Sequence, residues 1–413
     1  MPPPHYHGPP PHQPNGYAGP YGYAGPYGYA GYLQPLVKSS WTVPVPAGLP
    51  YHRLARTAVH RWWRPLVGTL ALVAGALFAT LALMVVGTVG YALATGEVPA
   101  PSDSETSIFG EPVADLAFNL AAIALLLPVV LFVPWLAQRR RPGTLSSVTG
   151  RLRRRWLLVC CAVAVGFCAV SFGAGWVAGH FAEPPIGGGD EWVGWADFLP
   201  PALIIIALVP FQASAEEYIF RGWLPQAIGA CTLEGSGGRA GRALSAVLRT
   251  PWPGLVIASA AFTAGHGYTG WGILDIFAFG AIAAWLTVRT GGLEAAIALH
   301  VFNNLMAFLL PAAAGRLEFE QGDVPWQFVV ADVTPLLLYA AVVVWLARRL
   351  RVETVTGDPD PRDAPVHAPP VSGQPAGIPA AAPYAPSGVP GVPGAPGAAD
   401  GPDAYGPSGV PGP

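Results

Sequence analysis

Eight long apolar runs, separated by short polar stretches, decide what this chain can fold into. They cover about residues 65–93, 113–137, 156–180, 198–228, 254–270, 271–288, 292–312 and 328–347. Most approach the ~20 residues that carry a helix across a bilayer. In hydrocarbon every backbone donor and acceptor must be satisfied within its own segment, so runs of this length read as helices. The expectation is an all-α polytopic membrane bundle of about eight transmembrane helices. Gly265, Gly267 and Gly270 interrupt the fifth run, and Gly222 and Pro225 predict a break or kink near the end of the long fourth.

Only 11% of the 413 residues are charged, and the net charge is -2. An average soluble chain carries about 25% charged residues, so composition excludes an ordinary soluble globule and a nucleic-acid binder built on net positive charge. With both termini placed inside, 20 of the 22 Lys and Arg fall on the cytoplasmic side, leaving Arg316 outside and Arg221 within a span. That asymmetry is what the positive-inside rule requires. The expected location is the cell membrane, multi-pass, with both termini cytoplasmic. Trp62, Trp63, Trp192, Trp195, Trp252 and Trp326 fall at span ends and read as interfacial anchors. The first apolar run follows Arg64 without a cleavage pattern, so no secretory signal is read there.

The chain divides into a disordered cytoplasmic tail over 1–60, three transmembrane helices over 61–195, a transmembrane core over 196–350 and a disordered Pro/Ala/Gly-rich tail over 351–413. Neither tail carries enough apolar surface to offset its ordering entropy. The first holds a Tyr/Gly/Pro repeat over Tyr17–Tyr32 and three histidines, His5, His7 and His12, read as solvated. Cys160, Cys161, Cys168 and Cys231 form no CxxC pair and read as small apolar fillers. The Gly-rich run Gly235–Arg242 lacks the ending of a phosphate loop and reads as a flexible cytoplasmic loop.

Charged groups inside a bilayer are costly and mark function or pairing. The fourth run holds Glu216, Glu217 and Arg221, the fifth His266, and the seventh His300, Asn303 and Asn304. Counted from the cytoplasmic span ends, Glu216, His266 and Asn304 are each 12 residues in and His300 is 8. At a helical rise these are depths of about 12 to 18 Å, so three helices place polar groups at one level. Glu217 and Arg221 are spaced i,i+4 and can neutralise one another. Glu216 points about 100° away and is left as a candidate general base. His300 and Asn304, also i,i+4, offer two donors for a developing oxyanion. Asn303 reads as packing, Asp275 as interfacial.

The ordered set Glu216-Glu217-x-x-x-Arg221, Phe262-x-x-x-His266 and His300-x-x-x-Asn304 resembles the three motifs of the CAAX prenyl endopeptidase and bacteriocin-processing family of intramembrane proteases, over about residues 198–310. The resemblance implies that Glu216, assisted by His266, activates a water, that His300 and Asn304 stabilise the oxyanion, and that Glu217 and Arg221 support the motif helix. It implies a peptide or protein substrate reached from the membrane or the cytoplasmic side. The family has been described both as metal-dependent and as glutamate-dependent. The chain has no His-Glu-x-x-His pair, so the favoured reading is metal-free, with zinc held by Glu216, His266 and His300 as the alternative. Two other classes stay open: a non-catalytic immunity or scaffold protein on the same fold, and a proton-coupled transporter, which would spread its polar residues through both leaflets.

Overall fold

The computed structural model describes residues 41–99, 107–182, 191–231, 238–317 and 321–358. Its elements are α1 (Trp63–Thr95), α2 (Pro112–Ala124), α3 (Leu126–Gln138), α4 (Arg154–Phe181), α5 (Trp195–Glu216), a π-helical segment (Glu217–Trp223), α6 (Leu224–Ala230), α7 (Arg239–Leu248), α8 (Trp252–Ala264), α9 (Gly270–Thr290), α10 (Glu294–Ala313) and α11 (Trp326–Arg349). Among the described residues there is no strand, only the isolated bridges Pro50–Val355 and Ser147–Gly292. The all-α membrane bundle is as the apolar runs require. Seven helical stretches are long and apolar enough to cross a membrane, with α2–α3 and α5–α6 each counted as one stretch.

The fifth of the eight expected spans is the exception. α8 has only 13 residues, about 20 Å at a helical rise. It ends at Ala264, so His266 lies in the turn after the helix rather than on it. Successive glycines at 265 and 267 give the helix little reason to continue. α2 and α3 meet at Leu125, where Pro128 has no N–H to offer the Ala124 carbonyl.

The expected kink in the fourth span takes a different form. The helix runs on from Trp195 to Ala230, but seven residues widen into a π-helix, in which Leu224 N–H bonds to the Ile219 carbonyl five residues back. Pro225 cannot donate to the Arg221 carbonyl, and the wider turn shifts the bonding register around it. π-segments are rare and gather at functional sites. This one carries Glu217 and Arg221 and begins directly after Glu216.

Only 6% of the α1 span is buried, against 39% for α5–α6, α9, α10 and α11, so α1 is peripheral and the latter group is the centre. Gly68 lets α1 close on the ring of Trp223, where a Cβ would collide. One core cluster joins Phe262, Phe279, Leu299 and Tyr339 with α4, and another joins Tyr51, Leu54, Tyr218, Trp223 and Leu293. The expected anchors Trp62, Trp63, Trp192, Trp195, Trp252 and Trp326 are all exposed.

The tail assigned to residues 1–60 ends earlier. Residues 41–62 are packed, with Tyr51, Leu54 and Ala55 nearly inaccessible and the Tyr51 hydroxyl donating to the Leu145 carbonyl. The C-terminal side answers it: Thr356 Oγ1 donates to Pro46 O (2.7 Å) and accepts from Leu49 N–H (2.9 Å). The expected disorder of residues 1–40 and 359–413, the Tyr repeat and His5, His7 and His12 lie outside the described residues. The loop expected over Gly235–Arg242 is in part helix, because α7 starts at Arg239.

The arginine clusters are more than orientation signals. Arg140 is fully buried, bonding to Gln138, Thr144 and Gln226, and burial pushes its guanidinium down to about 9. Arg153 grips Glu294 at 2.7 Å and holds the Thr290 carbonyl at 3.0 Å, tying α4 to the start of α10.

Candidate functional site

The site is assembled where α5 and its π-segment face α10. Glu217 is wholly buried; its Oε1 hydrogen-bonds to His300 Nδ1 at 2.7 Å and stands 2.9 Å from Arg221 Nη1 in an ion pair. The expected Glu217–Arg221 pair is therefore present, but it has a third member. The other nitrogen of the same imidazole, His300 Nε2, stands 3.3 Å from Glu216 Oε2. His300 thus bridges two carboxylates rather than pointing only at a substrate oxygen.

The bridge fixes the orientation of the ring. The Glu217 carboxylate, already paired to a guanidinium, accepts, so Nδ1 carries a hydrogen and Nε2 faces Glu216. Arg221, Glu217, His300 and Glu216 thus form one continuous chain of ionisable groups, each beside a partner, the form in which such groups can be held inside an apolar bundle.

The two carboxylates are not equivalent. The Glu217 side chain has no exposure and the Glu216 side chain keeps 12%. Oε2 of Glu216 and Oε2 of Glu217 are both buried without a hydrogen bond, so the remaining exposure of the Glu216 side chain is what distinguishes the two carboxylates.

One helical turn away is a second rung. Asn304 Nδ2 donates to Gln212 Oε1 at 3.1 Å. Gln212 precedes Glu216 by four residues and Asn304 follows His300 by four, so one face of α5 meets one face of α10 at two levels. The motif pattern does not single out Gln212. Its signal is an amide in an apolar run, four residues before a carboxylate. Asn303, expected to pack, reaches Asn304 Oδ1 only at 3.5 Å.

Aromatic rings wall the site. The Arg221 guanidinium lies 4.0 Å from the centroid of Phe262, and the His300 ring meets Phe279 at 5.2 Å and Phe262 at 5.8 Å, both edge-on. The motif phenylalanine thus supports the Arg221 cation through its π-face. His266 packs on the same ring at 4.5 Å, and its Nδ1 bonds to the Phe262 carbonyl at 2.7 Å. A carbonyl only accepts, so His266 carries a hydrogen on Nδ1. Among the described residues no hydrogen bond or ion pair joins His266 to Glu216 or His300. The structure therefore brings Glu216, Glu217, Arg221 and His300 into one network, places Asn304 on the adjoining turn, and sets His266 against Phe262.

The zinc alternative can be tested on the same residues. A carboxylate and two imidazoles are the right donor types. Yet no three His, Cys, Asp or Glu side chains among the described residues stand together in a group that could hold a metal ion. The three-ligand set does not fit, and no chemistry below runs through it. Asp275, read as interfacial, is half-buried on α9 and has Asp332 of α11 as its neighbour.

Residues 197–306 match a family model described as type II CAAX prenyl endopeptidase Rce1-like. That is the family the three motifs resemble, and the matched stretch contains all of them. Among curated proteins the chain is similar to "Uncharacterized protein YyaK" of Bacillus subtilis (strain 168), 25% identical over 154 residues that cover 35% of this chain and 48% of the other. The chain thus spans about half the length of the curated relative it matches. No solved structure matches.

Proposed function

We propose that this multi-pass membrane protein, whose residues 197–306 carry the Rce1-like match, is an intramembrane endopeptidase that hydrolyses a peptide bond of a membrane-associated or cytoplasmic-side substrate. The observation that supports the reading best is the asymmetric pair of carboxylates on one imidazole: Glu217 closed and neutralised, Glu216 accessible and 3.3 Å from His300.

In this reading Glu216 accepts a proton from a water as the water attacks the substrate carbonyl. His300, held between Glu216 and Glu217, stabilises the oxygen that becomes negative, and the second Asn304 N–H does the same from the next turn. Donors fixed before the reaction need no reorganisation during it. Gln212 holds the Asn304 amide in one orientation. His266, held by the Phe262 carbonyl, orients the water or the leaving amine. The proton taken by Glu216 passes to the leaving amine, so that a carboxylic acid and an amine are released and the site returns to its starting charge. Arg221 touches no reacting atom; it is the ion-pair partner of Glu217. The substrate side follows the basic end of the bundle, which the positive-inside rule places in the cytoplasm with both termini.

The test is turnover of an internally quenched peptide library by the full-length protein in lipid nanodiscs. Glu216→Gln keeps shape and removes the base, and the expected loss is about 10²–10⁴-fold. Native-rate cleavage by Glu216→Gln would refute the mechanism, as would loss of cleavage on chelation with recovery on added zinc.

A further inference from the structure

α7 lies outside the proposed site and has a construction of its own. Its ten residues, Arg239–Leu248, link α6 to α8, two elements of the membrane core. At 100° per residue, Ala240, Leu244 and Val247 fall on one side, Arg242 on nearly the opposite one and Arg239 about 100° from the aliphatic side. The buried side chain of the helix is Ser245, on a third direction, so packing on the bundle uses neither face. Leu244 is 48% and Val247 53% exposed. A short surface helix that leaves its aliphatic side chains outside while turning arginines away from them has the pattern of a helix lying in a membrane interface.

Two observations identify what covers it. First, the charge is of one sign: Arg239, Arg242 and Arg249 are all exposed, and no Asp or Glu occurs between Gly238 and Trp252. Second, α7 leads directly into Trp252, 60% exposed at the first position of α8. An exposed tryptophan at the start of an apolar helix marks the headgroup level. The adjoining backbone is pinned to the bundle, because the Arg249 carbonyl bonds to the buried His52 ring at 3.0 Å. The helix is therefore held at the height at which its aliphatic side can enter the acyl boundary and its arginines meet phosphates.

We infer that α7 is an in-plane membrane helix that docks on anionic phospholipid of the leaflet at the basic end of the bundle, with Ala240, Leu244 and Val247 inserted and Arg239, Arg242 and Arg249 on the headgroups. Each arginine near an anionic surface strengthens docking about fivefold, so Arg239 and Arg242 together are worth about thirtyfold.

The experiment is amide hydrogen exchange with mass analysis on the full-length protein in nanodiscs of phosphatidylcholine alone and of phosphatidylcholine with about one third phosphatidylglycerol. Peptides spanning 239–249 exchange several-fold more slowly in the anionic discs, and 1 M salt removes most of the difference by screening. Arg239→Gln/Arg242→Gln, at exposed positions, abolishes the lipid dependence, while Arg239→Lys/Arg242→Lys keeps it. Leu244→Ser/Val247→Ser speeds exchange in both lipids. Equal exchange of the wild-type peptides in the two lipids overturns the inference. Protection that follows the number of protein copies per disc instead of the lipid also overturns it, and assigns the face to a second copy.

Discussion

Replacing Arg221 by Met leaves the Glu217 carboxylate buried with the His300 Nδ1 hydrogen bond but without the ion pair that now balances its charge. Both members of the Glu217–Arg221 pair are at most 1% exposed, so water cannot compensate. At 2.9 Å and an effective dielectric near 20, the gross attraction being removed is about 6 kcal/mol. What shows in stability is smaller, because unfolding also restores hydration to both ions. Breaking a buried pair by deleting one partner costs about 3–5 kcal/mol, since the other charge is stranded. Glu217→Gln strands Arg221 in the same way, against Phe262 and Phe279. The double variant Glu217→Gln/Arg221→Met strands neither: the amide oxygen still accepts from His300 and the thioether fills the guanidinium space. The double change should therefore cost no more than either single one, a coupling of about 3 kcal/mol, at the upper end for residues in contact. The cycle is read from thermal unfolding in mild detergent followed by tryptophan fluorescence. At about 2–4 °C per kcal/mol for domains of 150–250 residues, each single variant loses 6 °C or more by this scale. Additive losses in the double variant would show that Glu217 and Arg221 do not depend on one another as a buried ion pair.

Two further outcomes follow. Gln212→Leu removes the acceptor of Asn304 Nδ2 and should cost about 0.5–1.5 kcal/mol, with a fall in kcat and little change in KM in the peptide assay; an unchanged kcat would remove Gln212 from the second rung. His52 has its pKa held below the ordinary 6.5, first by burial and then by the charge of Arg53, with the Arg249 carbonyl opposing. A depressed folded pKa means the unfolded chain takes up the proton first, so the stabilisation is complete above pH 6.5 and is lost as pH falls below it toward the folded value. His52→Phe should flatten that part of the stability–pH curve, and a slope unchanged in His52→Phe would place the titration elsewhere.

Much of the bundle is legible in the sequence because its information is local. A bilayer-length apolar run fixes a helix, and an i,i+4 spacing fixes that Glu217 and Arg221 meet, since both depend on one segment at a time. The spacing also separates the directions of Glu216 and Glu217, because adjacent residues on a helix cannot share a face. Tertiary structure decided what lies across from each face. That His300 divides its two nitrogens between Glu216 and Glu217, that Asn304 turns to Gln212, and that Arg153 reaches Glu294 are consequences of how α4, α5 and α10 pack, and no periodicity within a run records which neighbour a face will meet. The π-segment and the early end of α8 belong to the same class. Pro225 and Gly265 advertise trouble for an α-helix, but whether the backbone kinks, widens or stops depends on which alternative leaves its donors paired and its side chains packed against the surrounding helices.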